Sequence, residues 1–232
     1  MTPFDGQRDV TLSLAGLSVM IAIPINRDLP WQTNMSIVQT VCEIKDRKIP
    51  FDYQLLVGGS IVQAVRSHLA HKFLKSKMNR LFFIDSDMSW APEDFIRVLA
   101  LSSVMPVVGA AYPAKKGPST EFMINVIDPK AKANEWGCLP IGGMGLGFTC
   151  VAREVMEKIA AESPIVTNDD GEKMPMTFRC GVEGGRFIGE DMNFFGDCRR
   201  HGYTVNVDPK IEIGHVGGKE YRGKLIDAMQ RA

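Results

Sequence analysis

The sequence lacks several features that mark whole classes of protein. Neither charge is in excess, since 27 lysines and arginines balance 27 aspartates and glutamates, which argues against a globally basic nucleic-acid binder but allows a local basic patch. No CxxC pair occurs, and the 5 cysteines are scattered, so free thiols in a reducing cytoplasm are expected. No apolar run is long enough to span a membrane, and no repeat is present. Residues 1–10 are polar and acid-containing, unlike a signal peptide.

What is present is the composition of an ordinary globular protein. The 232 residues are 45% hydrophobic and 23% charged, which suffices for one substantial core. We expect a single α/β domain with two halves and a tail. The expected boundaries are about 18–115 for the first half, about 116–217 for the second half and 218–232 for the tail.

Buried strands and helical stretches alternate in the first half. Strands are predicted at 18–25, 51–57, 81–84 and 106–112. A helix is predicted at about 32–48, where apolar residues recur at near-helical spacing, and two more begin after Ser60, as a possible cap, and at Pro92. The β-α-β-α-β-α-β order predicts a largely parallel sheet that is covered on both faces.

The second half has a different character. The glycine-dense segment 142–147 leads into a strand at 148–151 and a helix at about 153–161, and residues 163–187 have little periodicity. So long an irregular stretch is typical of a lid or binding loop. A helix at 190–200, closed by Gly202, precedes strands at 203–207 and 210–213, with His215 just beyond them between glycines.

The segment Asp85-Ser86-Asp87 is the most informative feature. It follows the apolar run 81–84, at the end of a strand where open α/β sheets bind ligands. Carboxylates at i and i+2 of an extended chain point the same way and repel unless a cation lies between them. Mg²⁺ or Mn²⁺ suits such oxygen ligands. The alternative is a surface turn that caps the next helix.

Further motifs follow in a recognisable order. They are the strand end at Pro24-Ile25-Asn26, the acidic triplet at 85–87, Val107 to Lys115, Gly189-Glu190-Asp191, and Val207 to His215. Over about residues 18–217 the chain resembles GT-A glycosyltransferases, and among them the short family 2-type enzymes common in bacteria and phages. The resemblance implies a Rossmann-like nucleotide-binding half and an acceptor-side second half.

The resemblance also implies roles for the acidic residues and the histidine. Asp85 would lie near the donor ribose or the metal, while Asp87 and His215 would bind Mn²⁺ or Mg²⁺. Asp191 would be the general base that deprotonates an acceptor hydroxyl, with Glu190 as its substitute. Without that resemblance, the two acids simply favour a helix N-terminus, and His215 is a turn histidine.

The implied cofactor is a divalent cation, and the implied partner is a nucleotide-diphosphate-sugar donor. Residues Pro24, Ile25, Asn26, Arg66, Asp85, Ser86 and Lys115 are expected to bind the donor. Arg66 could instead be an amphipathic arginine that covers the core. Trp90 could stack on a sugar, although core packing is the simpler interpretation.

The acceptor is left open by the sequence. A saccharide, a protein, or a hydroxymethylated base in phage DNA would each supply a hydroxyl. The stretch 66–80 is rich in lysine, arginine and histidine and has no acid, so it could touch a nucleic-acid backbone, although most such runs are solvated faces.

Three other interpretations remain. A haloacid-dehalogenase-type phosphohydrolase also has an Asp-x-Asp motif, but normally on its first strand. A sugar nucleotidyltransferase would show a glycine- and arginine-rich loop after the first strand, which Asn26-Arg27-Asp28 does not resemble. A non-catalytic nucleotide-sugar-binding module would tolerate the loss of Asp191 or His215.

Overall fold

The computed structural model describes residues 12–116, 121–168 and 171–230, so the polar N-terminal residues 1–10 lie outside it. The helices are α1 (Trp31–Asp46), α2 (Val62–Lys75), α3 (Pro92–Leu101), α4 (Arg153–Glu162), α5 (Glu190–Arg200) and α6 (Leu225–Met229). Across the described ranges, no helix combines the length and the apolar character needed to cross a bilayer.

The strands alternate with helices in the first half of the chain and form longer runs in the second half. In chain order they are β1 (Val19–Ile25), β2 (Phe51–Val57), β3 (Arg80–Ile84), β4 (Met88–Ser89), β5 (Val107–Gly109), β6 (Ile124–Asn125), β7 (Leu139–Ile141), β8 (Gly143–Met144), β9 (Phe148–Ala152), β10 (Ile165–Thr167), β11 (Lys173–Pro175), β12 (Gly181–Glu183), β13 (Arg186–Ile188), β14 (Val205–Val207), β15 (Glu212–Val216) and β16 (Glu220–Lys224).

The central sheet has seven strands in the order β2-β1-β3-β9-β5-β14-β7. Strand β1 is parallel to β2 and β3, and β14 is parallel to β5. Strand β9 runs antiparallel between β3 and β5, and β7 is antiparallel to β14. All strands but β9 and β7 therefore point the same way, and the predicted α/β class with a mostly parallel sheet is confirmed.

Two apolar layers cover the sheet. Along β1, Val19, Ile21 and Ile23 face the layer that contains α1 and α3, whereas Met20 and Ala22 face the layer with α2, α4 and α5. This alternation follows from the two-residue period of a strand. Because both faces are buried, β1 is apolar without interruption.

The apolar spacing of α1 marks its buried face only in part. Ile44 is fully buried, whereas Met35 and Val38 are 46% and 49% exposed. The inward face also carries hydroxyls that bind Trp90. Ser36 Oγ donates to the Trp90 carbonyl at 2.9 Å, and the indole Nε1 donates to Thr40 Oγ1 at 2.8 Å. A buried indole needs such an acceptor, so polar side chains occupy the contact.

Several expected boundaries differ from the structure. Helix α2 has Ile61 at its N-cap with no side-chain bond, so Ser60 does not cap it. Segment 163–187 is not wholly irregular, since it contains the hairpin β10–β11 and all but the last residue of the hairpin β12–β13. His215 lies within β15 rather than beyond a strand, because β16 pairs with that region. The expected tail therefore contains β16 and α6.

Candidate active site

A cleft of about 590 Å³ opens at the carboxyl ends of β1 and β3. Every residue predicted for the site except Glu190 lines it. The lining includes Pro24, Ile25, Asn26, Arg66, Asp85, Ser86, Asp87, Lys115, Asp191 and His215. Residues from distant parts of the chain meet here because parallel strands end at the same edge of the sheet.

Arg66 links two acids of the site. Its guanidinium donates to Asp85 Oδ1 and to Glu190 Oε1, both at 2.6 Å, and the residue is only 3% exposed. Burial by itself lowers the pKa of Arg66, but the two carboxylates outweigh it and the net shift is upward. Arg66 is thus a permanent positive charge that connects α2 to the end of β3 and to the start of α5. The carboxylates of Asp85 and Glu190 offset this charge.

The glycine-dense segment lets backbone approach Asp85 closely. Asp85 N donates to the Gly147 carbonyl at 3.0 Å, and an added Cβ at Gly147 would lie 2.5 Å from Asp85 Oδ2. At Gly145 an added Cβ would lie 2.0 Å from the Tyr112 hydroxyl oxygen. Neither position has room for a side chain, so these glycines shape the wall of the cleft.

Tyr112 is a cleft residue that the sequence did not single out. Its hydroxyl lies 3.5 Å from Asp85 Oδ2, and its ring meets the His215 ring edge-on. Burial, and then the Asp85 charge, raise the pKa of Tyr112 well above its usual value. The available signal was its position at the end of the buried run 106–112, next to Pro113.

Asp87, His215 and Lys115 form a second cluster. His215 Nε2 lies 3.6 Å from Asp87 Oδ2, and the Lys115 ammonium contacts the same oxygen. Burial alone raises the pKa of Asp87, but the contacts with His215 and Lys115 outweigh it and lower this pKa. His215 Nδ1 is 2.8 Å from the Pro113 carbonyl, which only accepts, so Nδ1 carries a proton in this contact.

Asp191 and Glu190 begin helix α5 but differ in their surroundings. Glu190 is engaged by Arg66, whereas Asp191 lines the cleft and its Oδ1 accepts from Met192 N at 2.8 Å. Burial, and then the Glu190 charge, raise the pKa of Asp191. The two acids of the pair thus differ: Glu190 is paired with Arg66, whereas Asp191 faces the cleft with a raised pKa.

The cation-binding capacity of the site is limited. Within the described ranges, no group of three or more His, Cys, Asp or Glu side chains is arranged to hold a metal. Asp85 is bound by Arg66, which leaves Asp87 and His215. Because Nδ1 of His215 contacts the Pro113 carbonyl, Nε2 is the ring nitrogen that faces Asp87 and that could bind a cation. Mg²⁺ commonly takes one or two protein carboxylates and fills its shell with phosphate oxygens and water. Asp87 and His215 could thus supply two ligands to a cation whose other ligands come from outside the protein.

Two other predicted features lie elsewhere. Trp90 is 4% exposed and packs against Phe148, in the core. The basic stretch 66–80 is not one continuous surface: Arg66 is buried, Arg80 donates to Ser102, and Lys75 contacts Glu172.

Comparison with known proteins shows distant likeness. No family model matches the chain, and no curated protein sequence matches it. Among solved structures, GalNAc-T7 with UDP, GalNAc and Mn²⁺ is similar at 14% identity and a TM-score of 0.48, covering 87% of this chain and 44% of that one. This chain thus spans less than half the length of that protein.

Two further solved structures are more distant. A glycosyltransferase involved in the glycosylation of the major capsid of PBCV-1 has 9% identity and a TM-score of 0.33, covering 60% of this chain and 62% of that one. The 4-diphosphocytidyl-2C-methyl-D-erythritol synthase of Anaerococcus prevotii has 12% identity and a TM-score of 0.33, covering 66% and 80%. Such values concern the fold and assign no activity.

Proposed function

We propose that this chain is a glycosyltransferase that moves a sugar from a nucleotide-diphosphate-sugar donor to an acceptor hydroxyl. One observation carries the proposal: a single cleft brings together Asp85, Asp87, His215 and Asp191. These groups would provide cation ligands at one point of the cleft and a proton acceptor at another. Sugar transfer requires both, because the departing diphosphate carries negative charge and the acceptor hydroxyl must lose a proton.

The donor is proposed to lie across the ends of β1 and β3. Pro24, Ile25 and Asn26 would contact the nucleotide base, and Asp85 and Ser86 the ribose side. Asp87 and His215 would hold Mn²⁺ or Mg²⁺, which when bound offsets the negative charge on the departing diphosphate. Arg66 would fix Asp85 in place through its 2.6 Å contact.

Asp191 is proposed to act as the general base. Its raised pKa makes it a stronger base than an ordinary aspartate. The acceptor oxygen would form a bond to the anomeric carbon as the bond from that carbon to the phosphate oxygen breaks. The hydroxyl proton would pass to an Asp191 oxygen, and the anomeric configuration would invert.

A two-stage experiment tests this function. Nucleotide diphosphates are first screened for thermal stabilisation with and without Mn²⁺, and a selective shift that needs the cation identifies the donor class. Donor consumption is then compared between wild type and Asp191→Asn, with exposed Asp46→Asn as the control. We expect Asp191→Asn to keep the thermal shift and to lose at least about 100-fold in turnover. Turnover equal to that of the control would reject Asp191 as the base.

The reaction products separate the alternatives. A nucleotidyltransferase would release pyrophosphate from a nucleoside triphosphate, and a phosphohydrolase would release inorganic phosphate. A binding module would show the thermal shift with no product. Saccharide, protein and hydroxymethylated-DNA acceptors are then compared by release of nucleoside diphosphate. The hairpins within 163–187 are proposed to close over the donor, which protection from protease by nucleotide and Mn²⁺ would support.

A further inference from the structure

The Asp87 carboxylate already has a cation against it. The Lys115 ammonium contacts Asp87 Oδ2, which is also the oxygen 3.6 Å from His215 Nε2. The lysine stem passes over Gly217, where an added Cβ would come within 3.2 Å of Lys115 Cδ. The absence of a side chain at Gly217 thus leaves the space through which Lys115 reaches the carboxylate.

Backbone contacts hold these three groups in one place. Asp87 O accepts from Val216 N at 2.7 Å, which ties the acidic loop to β15 beside His215. On its other side, His215 Nδ1 contacts the carbonyl of Pro113 at 2.8 Å, two residues before Lys115. The Asp87, His215 and Lys115 side chains therefore converge because three chain segments are bonded to one another.

From this arrangement we infer that Lys115 is a built-in competitor of the divalent cation at Asp87. The inference rests on the proposed function in taking Asp87 and His215 as the protein ligands of that cation. Lys115 contacts the carboxylate oxygen that faces His215 Nε2, and two positive charges beside one carboxylate repel each other. A cation held between Asp87 Oδ2 and His215 Nε2 therefore displaces Lys115 from that oxygen.

Displacement gives Lys115 a second partner. Its ammonium stays in the cleft, since the Lys115 side chain lines the same cavity, and a lysine ammonium binds phosphate as a point charge. Lys115 therefore pairs with Asp87 before the cation arrives and with a donor phosphate afterwards. Loss of Lys115 has opposite effects on the two ligands: Mn²⁺ binds more tightly, whereas a nucleotide diphosphate in the presence of Mn²⁺ binds more weakly.

Lys116 is the matched control. Its side chain is 78% exposed and its Nζ lies 3.6 Å from Glu121 Oε2, away from Asp87. It lines the same cleft, so Lys116→Met removes the same charge from nearly the same place. Any general electrostatic gain in cation binding appears in both variants, and the difference between them measures the contact at Asp87.

The experiment is a titration of the full chain with Mn²⁺ alone, in which electron paramagnetic resonance reports the free ion. We expect Lys115→Met to bind Mn²⁺ about three- to tenfold more tightly than wild type, Lys116→Met to stay within about twofold, and Asp87→Asn to lose at least about tenfold. A parallel titration with UDP at saturating Mn²⁺ should show weaker binding to Lys115→Met alone. Lys115→Gln is the second variant if circular dichroism shows that Lys115→Met is not folded.

The inference is overturned if Lys115→Met and Lys116→Met bind Mn²⁺ with equal affinity. It is also overturned if Asp87→Asn binds Mn²⁺ as tightly as wild type does. No detectable Mn²⁺ binding by any variant also overturns it. The titration with Mn²⁺ uses no donor, acceptor or turnover. A chain that binds Mn²⁺ in the expected order but transfers no sugar therefore refutes the proposed function alone, and sugar transfer without that order refutes the inference alone.

Discussion

Replacing Arg66 with methionine tests how far the site is held together by one buried cation. Arg66 is 3% exposed, and its partners Asp85 and Glu190 keep side-chain exposures of 23% and 17%. Methionine fills similar space but leaves two neighbouring carboxylates without a counter-charge. Breaking a fully buried ion pair costs about 3–5 kcal/mol. Because both carboxylates retain some contact with water, we expect about 3 kcal/mol here, a fall of about 6–12 °C in Tm.

The assay is equilibrium unfolding in urea, with Arg47→Met as the matched control. Arg47 makes an equally short contact of 2.6 Å with Glu43, but Arg47 is 45% exposed, and exposed pairs contribute about 0–1 kcal/mol. Adding Glu190→Gln to Arg66→Met should recover about 1 kcal/mol, since one unpaired charge is removed. If Arg66→Met and Arg47→Met lower the free energy of unfolding equally, the contacts of Arg66 stabilise the protein no more than an exposed ion pair does. The reasoning about Asp85 and Glu190 is then refuted.

Three other outcomes are expected. Burial and nearby acids raise the pKa of Asp94 to about 6, so the ionisation of Asp94 disfavours folding as the pH rises from about 4. In urea titrations, Asp94→Asn should raise the free energy of unfolding by roughly 1 kcal/mol at pH 7, after allowance for solvent screening. At about pH 4 the same variant should leave that free energy unchanged. The acidic limb of kcat/KM should lie above about pH 4 because the pKa of Asp191 is raised, and Glu190→Gln should move that limb to lower pH. Thr40→Val removes the acceptor of the Trp90 indole and should cost about 1–3 kcal/mol in unfolding free energy; a cost below about 0.5 kcal/mol would contradict that assignment.

The elements that could be predicted from the sequence are those with strong local signals. Strand β1 ends at polar residues after an uninterrupted apolar run, β2 ends at a glycine pair, and α3 begins at its proline. The pair Asp85 and Asp87 was predicted from its place after a buried strand, whereas Arg66, Asp191 and His215 were pointed out by the family resemblance. Because the carboxyl ends of parallel strands meet, Asp85 and Asp87 had to lie near the end of β1, and the cleft contains both groups.

The features that could not be predicted from the sequence are those that depend on contacts between distant segments. The hydrogen bond from Arg66 to Glu190 joins residues 124 positions apart, and no local sequence pattern predicts it. The Thr40 and Ser36 hydroxyls of α1 face inward, where they bond to the indole and the backbone of Trp90, a residue 50 or more positions away. His215 falls within β15 because β16 pairs with it, and a strand that short and polar resembles a tail. The role of Asp191 stays a prediction.

The position of β9 in the sheet has a consequence for synthesis on the ribosome. Strand β9 joins β3 to β5 and is formed by Phe148–Ala152, so the β2-β1-β3 unit leaves the exit tunnel long before its neighbour on that side exists. The growing polypeptide exposes the β3 edge throughout that interval, and such an unpaired edge is where aggregation and chaperone capture begin. Slow translation between residues 84 and 148 would prolong this exposure.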